Sequence, residues 1–208
     1  MLATKELRFE YLDGPSFRFP DMVCGKGEHL LIIGESGTGK TTLLHLLAGM
    51  LRPRQGKVII DDQDTTALSD AELDKFRGSK LGIVFQTAHF IQSLSVEDNL
   101  IMPQYLTGRT IAREHARKIL ERLNIGERAS VKPASLSVGE QQRAAIARAV
   151  INNPSVILAD EPTSALDDKN ANEVINLLEE QARETGASLI IVTHDKRLKD
   201  RFSNTIEL

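Results

Sequence analysis

Apolar positions follow two rhythms along this chain. Short continuous runs at 30–33, 57–60, 81–85, 156–159 and 188–193 predict strands, the last two apolar enough to be central in a sheet. Stretches with helical spacing lie between them. Residues 42–48 predict a buried helix. Residues 69–78 predict a short helix opened by a Ser69/Glu72 capping box, and 136–152 a longer one opened by Ser137 and Glu140 in the same way. Such alternation argues for α/β layers around a largely parallel sheet.

From about residue 87 to 145 the strand signals stop. Residues 95–106 and 111–124 predict helices instead. The second sets Ala112, Ala116, Ile119, Leu120 and Leu123 on one face, and the pairs Glu114/Lys118 and Arg117/Glu121 on the other. About fifty residues is far longer than a usual connection. The expectation is one domain over 1–208, with a helical subdomain inserted into its α/β core.

Chemistry concentrates where the predicted strands end. Gly34-Glu35-Ser36-Gly37-Thr38-Gly39-Lys40-Thr41 stands between an apolar strand and an apolar helix. The glycines let the backbone turn tightly, so that its N–H groups face phosphate oxygens. Lys40 suits the β- and γ-phosphates of a nucleoside triphosphate, the Thr41 hydroxyl suits Mg²⁺, and the helix N-terminus adds a positive dipole. Asp160 and Glu161 close the strand at 156–159, at the edge where open α/β sheets bind ligands. Asp160 is placed to hold Mg²⁺. Glu161 is placed to orient or deprotonate a water that attacks the γ-phosphate. Ser137, Gly139 and the start of their helix form a second anion-binding tip. One nucleotide does not need two such sites on one side, so this tip is expected to face another molecule.

The set and order of motifs resembles the ATP-binding cassette (ABC) ATPases along nearly the whole chain. It comprises the loop at 34–41, Gln86 after a strand, the signature at 136–140, Asp160-Glu161, Ser164-Ala165-Leu166-Asp167, and His194 after a strand. The resemblance implies a P-loop NTPase core with a mostly parallel sheet, an N-terminal antiparallel β subdomain and the inserted helices. It implies ATP and Mg²⁺ as cofactors. Nucleotide contacts would extend through Thr42, and Tyr11 would stack on adenine. Gln86 would sense Mg²⁺ and water and link to a membrane subunit, and His194 would contact the γ-phosphate and hold Glu161. Ser137, Gly139 and Glu140 would reach ATP held by a second subunit, with Asp167 at the dimer interface. The partners would be a second ATPase copy and an integral-membrane permease. Val138 stands where the family usually has glycine, and a β-branched residue there disfavours a left-handed backbone. The sequences around 81–86, 152–154 and 158–163 resemble the lipoprotein-release, macrolide-export and cell-division group. His89 and Phe90 would be surface groups where the permease docks.

Composition narrows this further. A net charge of −3 without a basic run argues against a nucleic-acid partner. Cys24 is the single cysteine, so no intrachain disulfide forms, which suits a reducing compartment. No apolar stretch is long enough to span a bilayer, and the N-terminus lacks a signal-peptide pattern. Membrane contact would come through the permease, at the cytoplasmic face. The rival reading is a soluble, non-transport ABC ATPase. Those of DNA repair carry a long coiled coil between the two halves, and the interval from Gln86 to Leu136 is too short for one.

Overall fold

Two sheets share the strands, and the computed structural model describes residues 1–164 and 166–208 of them and their connections. Ala165, part of the motif at 164–167, lies outside the described residues. The chain begins with β1 (Leu2–Glu10), β2 (Ser16–Arg18), β3 (Met22–Cys24), β4 (His29–Ile33), α1 (Lys40–Leu47), β5 (Gln55–Ile60) and β6 (Gln63–Asp64). It continues through α2 (Asp70–Lys80), β7 (Leu81–Val84), α3 (Val96–Leu106), α4 (Arg113–Arg122) and α5 (Val138–Val150). It closes with β8 (Val156–Asp160), α6 (Asp168–Thr185), β9 (Ser188–Thr193) and β10 (Thr205–Glu207).

The first sheet is antiparallel, in the order β2-β1-β5-β6 with β3 also paired to β1. The second is parallel, in the order β10-β4-β9-β8-β7. Its strands alternate between two cores, as a period of two requires. Leu30, Ile32, Leu158, Ile190 and Val192 face α1 and the antiparallel sheet. Leu31, Ile157, Ala159, Leu189 and Ile191 face α5 and α6. Buried side chains of α3 and α4, Leu100 and Leu120 among them, belong to that same second cluster.

Both capping boxes form. Ser69 and Glu72 close the start of α2, and Ser137 and Glu140 close the start of α5. On α4 the Glu114–Lys118 pair is present at 2.7 Å. The expected Arg117/Glu121 pair is not. Arg117 instead reaches α3, where its Nε donates to Glu97 at 2.8 Å. Glu97 is 5% exposed, and a buried carboxylate needs a partner more than a solvated one does. Val138 is the first residue of α5 and is not among the residues with positive φ. The expected cost of a β-branched residue in a left-handed conformation therefore does not arise. Val138 points outward, 62% exposed.

Candidate nucleotide site

The C-terminal ends of β4, β7, β8 and β9 converge on one cavity of about 1110 Å³. Gly34 to Thr42, Gln86, Glu161 and His194 all line it. The loop after β4 turns into α1 through Gly39, whose φ of 95° lies in the left-handed region. No side chain caps α1, so its first N–H groups remain directed at the cavity end of the helix. Lys40 is 7% exposed, and its Nζ donates to the carbonyls of Gly34 at 2.9 Å and Glu35 at 2.7 Å.

The acids sit across from that loop. Asp160 is 5% exposed, and its Oδ1 accepts from the Thr41 hydroxyl at 3.3 Å. Burial pushes its carboxyl above the usual range; the Thr41 bond opposes this and the charge of Glu161 adds to it. Glu161 has φ 47°, an uncommon conformation for a non-glycine residue, and its N–H donates to Val192 O at 2.8 Å. Its carboxylate accepts from the Thr193 hydroxyl at 2.8 Å and lies 2.9 Å from His194 Nδ1 and 3.9 Å from Lys40 Nζ. Gln86 Nε2 donates to the Ser164 hydroxyl at 3.2 Å, and that hydroxyl donates to Glu161 O at 3.1 Å.

Other expected residues stand apart from the cavity. Tyr11 is not among its lining residues; its hydroxyl and that of Thr42 are 3.1 Å apart. Ser137, Gly139 and Glu140 do not line it either. Glu140 is engaged by Ser137 N at 2.8 Å and by Arg128 at 2.7 Å. Asp167 caps α6, accepting from Asn170 N at 2.9 Å. The bonds from Asn170 hold its carboxyl below the ordinary range. Pro15, Phe17 and Lys196 line the cavity and carry no motif. Phe17 could have been found from its pairing with Phe9 across the β1–β2 hairpin, a contact that only the turn at 11–15 creates.

The site thus sets a glycine-rich loop and Glu161 on one cavity, with Asp160 buried beside Thr41 and not lining it, and the sequence that builds it has known relatives. Residues 20–164 match the ABC transporter family. The chain belongs to that family. The lipoprotein-releasing system ATP-binding protein LolD of Xanthomonas campestris is 43% identical over 214 aligned residues, covering 100% of this chain and 90% of the relative. LolD of Shewanella oneidensis is 40% identical, covering 90% and 83%. Among solved structures, the dimeric bacterial ABC transporter cassette MJ0796 superposes with a TM-score of 0.89 at 34% identity, over 100% of this chain and 94% of the other. A dimeric post-hydrolysis state of MJ0796, bound to ADP and Pi, gives 0.90 at 35% identity. CbiO1 of Clostridium perfringens, part of the CbiONQ transporter complex, gives 0.82 at 31%, over 93% and 78%. This ABC chain is an ATP-binding, ATP-hydrolysing subunit of a transporter, built on a P-loop α/β fold. Among the described residues, no helix is long and apolar enough to cross a membrane.

Proposed function

We propose that two copies of this chain enclose two ATP molecules, each copy offering its phosphate loop to one nucleotide and its Ser137–Gly139 tip to the other. One observation carries the reading. Gly139 has an ordinary backbone, and a Cβ added there meets nothing within 4 Å. The fold itself does not require a glycine at 139, which fits the close approach of an external ligand there. The neighbouring Ser137 and Val138 are exposed, and the tip lies outside the cavity lined by the phosphate loop, Gln86, Glu161 and His194. A head-to-tail pair with two-fold symmetry brings each tip to the other copy's cavity. Asp167 lies at that interface.

Within each site, the N–H groups of the loop and the Lys40 ammonium take the β- and γ-phosphates. Tyr11, beside the cavity, packs on the adenine. Glu161 accepts the proton of the attacking water. His194, with Nδ1 2.9 Å from the Glu161 carboxylate, holds Glu161 and contacts the γ-phosphate. The donor set fits Mg²⁺. Asp160 is buried with one hydroxyl partner, and Mg²⁺ prefers one or two carboxylates, hydroxyls and substrate oxygens to a protein cage. Among the described residues no three His, Cys, Asp or Glu side chains converge, so a closed transition-metal site is not the alternative. Thr41, Asp160 and Gln86 would hold the ion, which supplies charge neutralisation on the phosphates when bound.

The permease docks over α2, α3 and the segment after Gln86. A groove of about 540 Å³ there is lined by Gly78, His89, Ile91, Met102, Leu106 and Arg148, among others. Arg148 braces it, donating to Ala88 O at 2.5 Å and lying 4.8 Å above the Phe90 ring. The helices inserted at about 87–145 pass the motion on, with the ATPase at the cytoplasmic face of the membrane. The LolD relatives make a lipoprotein-releasing permease the first partner to test, by co-purification from membranes.

The dimer is tested by size. Glu161→Gln with ATP and Mg²⁺ should accumulate a dimer, while Lys40→Ala should remain monomeric and lose nucleotide. A Glu161→Gln variant that binds ATP yet stays monomeric at high concentration overturns the sandwich.

A further inference from the structure

The end of β9 is tied to both halves of the site at once. Thr193 is fully buried. Its carbonyl accepts from Gly34 N at 3.3 Å, which extends the β4–β9 pairing into the phosphate loop. Its hydroxyl accepts the backbone N–H of Asp195 at 3.0 Å. A hydroxyl has one proton to give. With the Asp195 N–H already pointing at the oxygen, that proton goes to the acceptor beside it, Glu161 Oε2 at 2.8 Å.

The loop that sets this direction is held from two sides. Asp195 Oδ2 accepts from Thr163 Oγ1 at 3.0 Å and pairs with Arg197 at 2.6 Å. Thr163 is itself buried.

The two oxygens of Glu161 are consequently unlike. Oε2 takes the Thr193 hydroxyl and, at 3.3 Å, the His194 N–H. Oε1 lies among cavity-lining groups, His194 Nδ1 and Lys40 Nζ. We infer that Thr193 is a positioning residue for hydrolysis: its hydroxyl anchors Oε2 of Glu161 and so leaves Oε1 as the oxygen that takes the proton of water. The inference rests on the reading of Glu161 as the base. A glutamate free to rotate about three torsions would spend most of its time misdirected, and a displacement of about 1 Å at a reacting group costs up to roughly 100-fold.

The test is steady-state ATP hydrolysis by the purified chain with Mg²⁺, for Thr193→Val, Thr193→Ser and Glu161→Gln together. Thr193→Val should lower kcat about 10- to 100-fold while KM for ATP stays within about twofold. It should also accumulate ATP-dependent dimer, since nucleotide binding is intact and turnover is slow. Thr193→Ser, which keeps the hydroxyl, should recover most of kcat. If Thr193→Val does not fold, Thr193→Cys takes its place, because a thiol is a weak donor and should lower kcat with KM preserved. Wild-type kcat in Thr193→Val or Thr193→Cys overturns the inference. So does an equal loss in Thr193→Ser and Thr193→Val, which would make the role one of packing. Full turnover in Glu161→Gln would instead remove the base reading itself. An inactive Glu161→Gln beside a fully active Thr193→Val removes only the role of Thr193.

Discussion

Gly39 shows how narrowly a single position in the phosphate loop is specified. Its φ of 95° is open to glycine and costly for any residue with a Cβ, about 1–2 kcal/mol. Space is refused as well: a Cβ there would sit 2.6 Å from Cδ1 of Phe17. Phe17 is held in turn by a near-parallel stack on Phe19 at 5.9 Å and an edge contact with Tyr11 at 6.4 Å. The loop and the β2 strand are therefore built against each other. Gly39→Ala should lower thermal stability by about 1–3 kcal/mol and weaken ATP binding at least tenfold, read by titration with a fluorescent nucleotide. A binding constant within a factor of two of wild type would show that the loop tolerates the shift.

At the scale of elements, α3 and α4 are joined by a carboxylate that is nearly out of water. Burial pushes Glu97 upward, but the bonds from Arg117 and Arg113 outweigh it and hold its carboxyl below the ordinary range. A carboxylate depressed in the folded state contributes stability above its unfolded pKa, and that contribution disappears as pH falls through the folded value. Glu97→Gln should therefore be less stable than wild type near neutral pH, by about 1–3 kcal/mol. The gap should start to narrow as pH falls below roughly 4.3, where the carboxyl of the unfolded chain protonates, and should close as pH passes the lower folded value. Thermal melts of both proteins across pH 3–7, an interval of about four units on this scale, measure it.

The same pair explains what could be read from the amino acids and what could not. Local signals were sufficient for α2 and α5, because each capping box is written within four consecutive residues. The phosphate loop, Glu161 and His194 were legible because each stands at the end of an apolar strand, and the sheet brings those ends together. Helical spacing sets Arg117 beside Glu121 and knows nothing of a carboxylate on another helix. α6 is absent from the sequence expectations although Asp167 caps it and Gly186, with φ 66°, stops it. β1 escaped as well. A bulge between Lys5 and Arg8 shifts its buried positions from Leu2 and Thr4 to Leu7, which breaks the alternation a strand should show. Phe17 and Thr193 are harder to read for a further reason. Their importance comes from neighbours distant in sequence, and neither carries a motif.

The molecule as a whole closes around the parallel sheet, with one core on each face. Cys24 is fully buried in the core shared with the antiparallel sheet, and its Sγ donates to Glu28 O at 3.3 Å. Burial, with the Glu28 charge adding to it, pushes the thiol up to about 11. Relative to an ordinary cysteine this leaves roughly 100-fold less thiolate near neutral pH, before access is considered. Thiol reagents should therefore leave the folded protein unmodified and react fully once denaturant has separated the layers. Mass spectrometry after timed exposure checks this, and rapid modification without denaturant would contradict it. A silent native thiol makes the chain its own blank background for probe chemistry. Ser137→Cys would place the sole reactive handle on the signature tip, so that a spin label or a dye could follow the approach of two cassettes in real time.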